Sequence, residues 1–221
     1  MNAAVLVVAK APIPGYAKTR LTPPLTTRAA AGLAAAALLD TLDAVRRCRG
    51  ARRVVALSGD LDDAVRRSEL RCALSDFEVV EQVGSSLSER LVNAHEAVLR
   101  RGTPVLQIGM DTPQVSADLL DDALEQLVEP GVDTVLGFAS DGGWWSLGVR
   151  DQASAAVLAD VPMSTPSTGR LTYEALRARG DTVRLLPHLS DVDAVGDIGE
   201  VARHASCGAN FKAAVRGLGE L

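Results

Sequence analysis

Residues 3–21 read AAVLVVAKAPIPGYAKTRL, an apolar run that ends in a loop rich in cations. A run of this length, bounded by Pro and Gly, is typical of a buried strand. The loop that follows carries Lys10, Lys18 and Arg20, and ligands bind at the carboxyl ends of the strands in an open α/β sheet. Lysine offers phosphate oxygens a point charge, and arginine offers them a planar fork. This stretch therefore predicts a phosphate-binding loop and a nucleotide ligand.

Strand-like and helix-like segments alternate along the rest of the chain. The patterns predict strands near 3–9, 53–57, 77–81, 104–108, 134–138, 144–149 and 182–186, and helices near 26–47, 61–68, 86–100, 116–128, 152–159, 167–178 and 196–205. Such alternation predicts a three-layer α/β/α architecture with a mostly parallel mixed sheet. No internal repeat or long linker divides the chain, so we expect one domain over residues 1–221, with a frayed C-terminus.

Polar residues mark several of the helix starts. Thr26 or Thr27 is suited to cap the first long helix, and Ser116 a later one. Ser86 and Glu89 have the spacing of a capping box.

The composition argues against several classes of protein. Apolar residues make up 47% of the 221, but aromatic ones only 3%, so the core has to be built from Ala, Val and Leu. No apolar run reaches the roughly 18 residues of a membrane helix, and the opening lacks the order of charges typical of a secretory signal. The three cysteines are widely spaced, which favours free thiols in a reducing cytoplasm. We expect a cytoplasmic protein without membrane contact, and the sequence leaves open whether it forms a homodimer.

Charge is distributed unevenly along the chain. The net charge is -5, yet residues 1–53 hold nine Lys or Arg and two acids. The overall acidity argues against binding to nucleic acid, whereas the local excess of cations fits a small anionic ligand. We expect the arginines of 46–53 to lie in solvent near a helix end. Lys10, Lys18 and Arg20 remain the candidates for ligand binding.

Carboxylates follow two of the predicted strands. Asp111 comes directly after the strand at 104–108 and is a candidate ligand for Mg²⁺ or Mn²⁺, or alternatively a turn former. Asp191 and Asp193 follow the last strand. We expect one of the two to reach the metal and the other to cap or anchor the next helix. A solvated acidic loop is the alternative for this pair.

A third acidic motif, Asp141-Gly142-Gly143, separates two predicted strands and precedes Trp144 and Trp145. Asp-Gly between strands is typical of a hairpin turn. Alternatively, the two glycines let a substrate approach the backbone while Asp141 faces it. We expect both tryptophans to pack in the core, and a stacking surface for the ligand is the alternative.

Other candidates are weaker. The irregular stretch 160–170 has the composition of a mobile loop that borders a site. Asn93 lies in the helix after Ser86 and is a candidate for ligand contact. His95, His188 and His204 are scattered and near no nucleophile, so they fit packing or surface roles.

Five motifs in order resemble an uncharacterised family of proteins with the GT-A fold, often labelled glycosyltransferase-like. They are Lys10-Ala-Pro-x-Pro-Gly15-x-x-Lys18-Thr19-Arg20-Leu21, Gly-x-Asp111-x-Pro113, Asp141-Gly-Gly-aromatic-aromatic, Ser164-Thr-Pro166 and Asp191-Val-Asp193. The first is also similar, more distantly, to the guanylyltransferases that act on phospholactate, phosphoenolpyruvate or the molybdenum cofactor. The resemblance covers about residues 5–200.

The resemblance implies roles for particular residues. In those relatives the first loop holds the nucleotide phosphates, which here implies Lys10, Gly15, Lys18, Thr19 and Arg20. It implies that Asp111 and Asp193 bind the metal. The chain departs from the pattern in lacking the Gly-Gly-x-Ser-x-Arg-Met loop of typical sugar nucleotidyltransferases, and in having Thr112 where the family often has Cys.

Three functions are open at this stage. The first is nucleotidyl transfer from an NTP, with Lys18 and Arg20 on the β- and γ-phosphates, Mg²⁺ or Mn²⁺ on Asp111 and Asp193, and pyrophosphate released. The second is glycosyl transfer from a nucleotide sugar, and the third is nucleotide binding without catalysis. Three cations suit a triphosphate slightly better than a diphosphate. The small-molecule acceptor, phosphorylated or hydroxylic, is expected to contact Asn93, Asp141, Gly142, Gly143, Ser164 and Thr165.

Overall fold

The computed structural model describes residues 3–99 and 103–219, which form one sheet flanked by helices. The strands are β1 (Ala3–Lys10), β2 (Ala51–Ser58), β3 (Glu78–Glu81), β4 (Val105–Gly109), β5 (Thr134–Phe138), β6 (Trp144–Val149) and β7 (Val183–Leu185). The helices are α1 (Thr27–Arg47), α2 (Arg67–Leu74), α3 (Leu87–Leu99), α4 (Ala117–Val128), α5 (Gln152–Ala156), α6 (Thr168–Arg179), α7 (Val195–Arg203) and α8 (Ala209–Arg216). Short 3₁₀ turns lie at Thr19–Leu21, Leu61–Asp63 and Val157–Asp160.

The strands are ordered β3-β2-β1-β4-β6-β5-β7. All neighbours are parallel except β6, which runs antiparallel to both β4 and β5. The carboxyl ends of β1, β2, β4 and β5 and the beginning of β6 therefore meet at one edge of the sheet. This mixed, mostly parallel α/β sheet confirms the predicted fold class.

The central strand β1 is apolar on both faces because helices cover both faces of the sheet. Val5 and Val7 are fully buried in a core built with α1, α2 and α4. Leu6 faces the opposite layer, and Val8 packs there against α3, α5 and α6. The core is rich in Ala, Val and Leu, as the composition predicts.

Two of the predicted helix starts are confirmed. The Oγ1 of Thr26 accepts a hydrogen bond from the Ala29 amide at 3.1 Å, and the Oγ of Ser116 accepts one from the Leu119 amide at 3.2 Å. The capping box at Ser86 is only half formed. Its hydroxyl accepts from the Glu89 amide, but the Glu89 carboxylate accepts from Ser85 instead.

The helix predicted near 61–68 begins later than expected. Asp60 accepts a hydrogen bond from the Asp62 amide and starts a 3₁₀ turn, so the α-helix begins only at Arg67. The predicted end of α3 at Arg100 lies outside the described residues.

A helix replaces most of the frayed C-terminus that we expect from the sequence. Phe211 of α8 is fully buried against α1. The Asp40 carboxylate of α1 accepts hydrogen bonds from the Asn210 and Phe211 amides at 3.1 and 2.7 Å, and from the Asn210 side chain at 2.9 Å. Gly208 packs directly on this carboxylate, since a Cβ there would lie 2.0 Å from the Asp40 Cγ. Asp40 thus caps α8 from a position 170 residues earlier in the chain.

Two further features bear on the sequence-based predictions. Within residues 3–99 and 103–219, no helix is long and apolar enough to cross a membrane. Cys48, Cys72 and Cys207 are all free, with Cys48 and Cys207 buried.

Candidate functional site

A cavity of about 500 Å³ opens at the edge where the parallel strands end. It is lined by the loop after β1, the residues that follow β4, the turn between β5 and β6, the segment before α6 and the segment before α7. These are five separate parts of the chain, and the strand order brings them together.

Lys18 lies at the centre of the charged part of this cavity. Its Nζ donates hydrogen bonds to Oδ2 of Asp111 at 2.7 Å and to Oδ1 of Asp193 at 2.8 Å. The side chain of Lys18 is 11% exposed, and those of the two aspartates are 30% exposed. Burial lowers the pKa of Lys18, but the charges and hydrogen bonds of the two carboxylates outweigh burial and raise that pKa above its usual value. The ammonium is therefore held in its charged form between the two carboxylates.

Arg20 extends this cluster toward solvent. Its guanidinium donates to Oδ2 of Asp193 at 3.1 Å, while its side chain is 66% exposed. Burial raises the pKa of Asp193, but Lys18 and Arg20 outweigh it and lower that pKa below the usual value. Asp193 therefore stays ionised and shared between two cations.

The local fold fixes the loop that carries these cations. Ala17 and Leu21 are buried on either side of Lys18, so the loop is anchored at both positions. Lys18 itself has φ 51°, a left-handed conformation that is strained for a residue with a Cβ. Strain of this kind persists where the surrounding structure holds it and is common at functional sites.

The remaining residues of the predicted phosphate loop have different positions. Thr19 lines the cavity and begins the 3₁₀ turn. Lys10 also lines the cavity, with its exposed ammonium 5.7 Å from the centre of the Tyr16 ring. Gly15 does not line it. It has φ +80° and shapes the turn that leads to Lys18.

Asp191 is a third carboxylate at this site. Its Oδ1 accepts a hydrogen bond from Thr112 Oγ1 at 2.9 Å, so this threonine supports an acid. Burial raises the pKa of Asp191 well above its usual range, and the nearby carboxylates of Asp111 and Asp141 raise it further. The Val192 amide donates to the Asp111 carbonyl at 3.1 Å and ties the two acidic segments together.

The expectation that one of Asp191 and Asp193 caps the next helix is wrong. Both line the cavity. The Oδ2 of Asp197 instead accepts from the Asp193 and Ala194 amides, at 3.0 and 2.6 Å, and holds the start of α7. Residues two positions apart in an extended chain face the same side, so both carboxylates can reach one site.

The donor set of this cluster fits a divalent cation that completes its shell with ligand oxygens. No group of three or more His, Cys, Asp or Glu side chains in the described parts of the chain could hold a metal ion. Asp111 and Asp193, however, already bind one cation together, the ammonium of Lys18. A third carboxylate, that of Asp191, lies near other negative charges. Mg²⁺ is commonly bound by one or two carboxylates together with phosphate oxygens and water.

The turn between β5 and β6 has the hairpin geometry that its Asp-Gly pair predicts. Oδ1 of Asp141 accepts from the Gly143 amide at 2.7 Å, and Gly142 has φ +87°. A Cβ on Gly142 would lie 2.1 Å from the Pro166 carbonyl oxygen. That glycine therefore allows the segment before α6 to approach the turn, and it does not line the cavity, whereas Asp141 and Gly143 do.

The segment before α6 forms the opposite wall. Ser164, with φ 59°, and Thr165 both line the cavity. Thr168 Oγ1 donates to the Pro162 carbonyl at 2.8 Å and accepts from the Thr165 amide. The segment that we expect to be a loop bordering the site does border it, held by these hydrogen bonds.

Asn93 lies elsewhere. Its Nδ2 donates to the Val83 carbonyl at 2.8 Å and supports the loop after β3, and the side chain does not line the cavity.

Sequence reasoning missed several lining residues. Gln82, Leu91, Gln107 and Met163 line the cavity. Trp145 is buried in the core as expected, but Trp144 also lines the cavity. The available signal was the alternation of β6, which places consecutive tryptophans on opposite faces of the sheet.

Comparison with known proteins gives a family and a fold. The family model described as an uncharacterized protein conserved in bacteria, DUF2064, matches residues 41–165. A search of curated proteins found no match.

Solved structures match over nearly the whole chain. A protein of Desulfovibrio desulfuricans G20, provisionally described as a nucleotide-diphospho-sugar transferase, has a TM-score of 0.84 and 26% identity over 98% of this chain and 94% of its own. CMP:2-keto-3-deoxy-manno-octonic acid synthetase in complex with CTP has a TM-score of 0.56 and 12% identity, covering 91% and 97%. Rv0371c of Mycobacterium tuberculosis H37Rv in complex with manganese has a TM-score of 0.53 and 22% identity, covering 90% and 97%. The last two are similar to this chain in fold alone.

Proposed function

This chain belongs to the DUF2064 family, and we propose that it is a transferase that moves a group from a nucleotide donor to a small acceptor. The observation that carries the proposal is the placement of Lys18 between Asp111 and Asp193, beside Arg20, at the carboxyl edge of the sheet. The similarity to a provisional nucleotide-diphospho-sugar transferase and to a CTP-bound synthetase supports it. We propose that residues 1–221 form one transferase domain that acts in the cytoplasm, alone or as a homodimer.

We propose that the donor phosphates bind at the first loop. Arg20 is the exposed cation there and offers its guanidinium fork to phosphate oxygens. Lys18 and Lys10, which also line the cavity, add further positive charge. Neutralising charge that develops on the phosphates is the main task in such transfers, so no nucleophilic side chain is needed.

Asp111 and Asp193 are the residues that would hold Mg²⁺ or Mn²⁺, as the resemblance implies. Such an ion, when bound, neutralises phosphate oxygens and orients them. The description of Rv0371c in complex with manganese supports a divalent cation in this fold. Lys18 holds the two carboxylates at one place, and Thr112 supports the neighbouring Asp191.

We propose nucleotidyl transfer as the leading reaction. An acceptor oxygen bonds to the α-phosphorus of an NTP, the bond from that phosphorus to the β-phosphate oxygen breaks, and pyrophosphate leaves. A hydroxyl acceptor gives its proton to water or to the departing pyrophosphate. Asp141 and Gly143, with Ser164 and Thr165, lie on the acceptor side in this arrangement. The support for a triphosphate is the number of cations in the first loop.

Glycosyl transfer from a nucleotide sugar is the second candidate. It is favoured by the description of the Desulfovibrio protein, which at 26% identity covers nearly the whole of this chain. The two reactions differ in their products, since one releases pyrophosphate and the other a nucleoside diphosphate.

Calorimetric titration with the four NTPs and with UDP-, GDP- and dTDP-sugars, in Mg²⁺ or Mn²⁺, tests the proposal. We expect one nucleotide to bind only with the metal, and its affinity to fall at least about tenfold in Arg20→Ala and in Asp193→Asn. Lys212→Ala and Asp118→Asn, which change charges outside the cavity, serve as matched controls.

Unchanged affinity in both site variants would refute the proposed site. Binding of a nucleotide without pyrophosphate or nucleoside diphosphate release, with any acceptor tried, would instead indicate nucleotide binding without catalysis.

A further inference from the structure

The cavity has a second end that differs in character from the cluster around Lys18. Its walls come from α3, from the start of β6 and from the segment before α6, and its floor comes from β1 and β4. We call this end the acceptor chamber and define it by Val8, Leu91, Gln107, Trp144, Met163 and Thr168. Four of these six, Val8, Leu91, Trp144 and Met163, also belong to one hydrophobic cluster on this face of the sheet.

We infer that the acceptor chamber binds an uncharged, hydroxyl-bearing molecule, and not a phosphate ester or a carboxylate. This inference rests on the proposed function and narrows its acceptor, which the sequence leaves open between a phosphate and a hydroxyl.

The distribution of charge in the cavity is the first argument. Among the described residues that line it, the only cations are Lys10, Lys18 and Arg20, all on the first loop. Lys18 and Arg20 are already bonded to carboxylates. The group at the rim of the chamber is Asp141, an acid. An anionic acceptor would lose its hydration there, meet a like charge and find no cation in the chamber.

A buried histidine next to the chamber carries no charge either. His95, one turn beyond Leu91 on α3, is fully buried beside Gln107. Burial lowers its pKa to about 4, against a smaller opposing effect of Gln107, so the ring is neutral at physiological pH. The chamber therefore has no hidden positive charge that could hold an anion.

An unpaired donor on Trp144 is the second argument. Nε1 of Trp144, a residue that lines the chamber, is buried and finds no hydrogen-bond partner within the described residues. Buried polar groups are normally hydrogen-bonded, so each such exception calls for a reason. The neighbouring Trp145 follows that rule, since its Nε1 donates to the Pro187 carbonyl at 2.9 Å.

This unpaired donor matches the chemistry of a hydroxyl group. The indole N–H is a donor, and a hydroxyl oxygen can accept from it. The indole is uncharged and lies among apolar walls, as in sites that bind neutral hydroxylated compounds. Oδ1 of Asp141 is used by the Gly143 amide, which leaves the other oxygen of that carboxylate for a further hydroxyl.

Matched probes that differ only in a phosphate test the inference. We would measure saturation-transfer NMR of glycerol against glycerol 3-phosphate, and of glucose against glucose 6-phosphate, with the Arg20→Ala chain, in which the proposed donor-phosphate site is weakened. We expect the uncharged member of each pair to bind about tenfold more tightly than its phosphate ester. Trp144→Phe keeps the ring but removes the N–H, and should weaken the uncharged probes.

A charge introduced at Met163 tests the cause. Met163→Arg should reverse the preference toward the phosphate esters, whereas Met163→Gln, of similar length and uncharged, should keep it. The inference is overturned if the phosphate esters bind better to the Arg20→Ala chain, if no uncharged probe binds, or if adding Met163→Arg to that chain leaves the preference unchanged.

These measurements are made without nucleotide, so they separate the two ideas. Loss of nucleotide binding in the earlier titrations would refute the proposed function. A failure of the probe series alone would refute only the nature of the acceptor.

Discussion

Replacing Lys18 with methionine removes the one cation that holds two carboxylates together. The side chain of Lys18 is 11% exposed, and Asp111 and Asp193 are each 30% exposed. Breaking a fully buried pair by removing one partner costs about 3–5 kcal/mol. Because these carboxylates keep some contact with water, and Arg20 still pairs with Asp193, we expect Lys18→Met to lower the free energy of unfolding by about 2 kcal/mol.

The assay is urea denaturation at pH 7 in EDTA. With an m-value of about 2 kcal/mol/M, this loss shifts the midpoint by about 1 M urea. Since Lys18 lowers the pKa of Asp193 below 3.8, the stability that it provides is present above that pH and is lost as the pH falls through the lower folded value. The difference between wild type and variant should therefore narrow below about pH 4.

The same variant should respond more strongly to Mn²⁺. Without the ammonium, the two carboxylates are free to bind the ion, and a hundredfold excess over Kd stabilises the folded state by about 2.7 kcal/mol. Wild type should gain less, because the ion competes with Lys18. Lys212→Met is the matched control. A stability of Lys18→Met equal to that of wild type in EDTA, or equal stabilisation of both by Mn²⁺, would contradict this prediction.

Three further substitutions test other parts of the structure by urea denaturation. Asp40→Ala removes the carboxylate that accepts three hydrogen bonds from Asn210 and Phe211, and should cost about 2–3 kcal/mol. His95→Leu removes a ring whose pKa burial lowers from 6.5 to about 4. As the pH falls from 6.5 to 4, this ring binds a proton in the unfolded state but not in the folded state, so the free energy of unfolding of wild type should fall by up to about 3 kcal/mol. The variant should not show this loss. Gly142→Ala, whose Cβ would lie 2.1 Å from Pro166 O, should cost more than about 2 kcal/mol.

Each of these changes has a control at a comparable position. Asp43→Ala alters an acid of the same helix that only pairs with surface arginines, and should stay within about 0.5 kcal/mol. His204→Leu alters an exposed histidine. Gly131 has φ +83° with open space around it, so Gly131→Ala carries the backbone strain without the clash. Equal losses in a variant and its control would contradict the corresponding argument.

The succession of strands and helices along the chain could be predicted because local sequence signals determine it. The central strands are short apolar runs between turn residues, and helix starts such as Thr26 and Ser116 carry their own caps. Local signals do not predict an element that is stabilised by a residue distant in the sequence. The eight-residue α8 is too short to be stable alone, and what holds it is Asp40, a residue that looks from the sequence like one more acid on a helix.

The site could be predicted in part for the same reason. Lys18, Asp111 and Asp193 are candidates because of the strand ends that they follow. Their direct contact could not be predicted, since these residues are 93 and 175 positions apart and meet only because of the strand order. Asp191 was visible in its motif, but its support by Thr112 depends on a contact across 79 residues.

The residues that line the acceptor chamber could not be predicted from the sequence. Alternation shows that Trp144 and Trp145 face opposite sides of β6, but not which side is filled by core and which is left open. Only the placement of α3 and of the segment before α6 decides that.

The separation of the two tryptophans by the sheet provides two optical signals in one molecule. Trp144 and Trp145 are the only tryptophans of the chain, and one lines the cavity while the other is 1% exposed in the core. Emission from Trp145 reports whether the core is intact, and emission from Trp144 reports what enters the cavity. With Trp144→Phe and Trp145→Phe used to assign the two components, folding and ligand binding can be followed by fluorescence in a single titration without any added label.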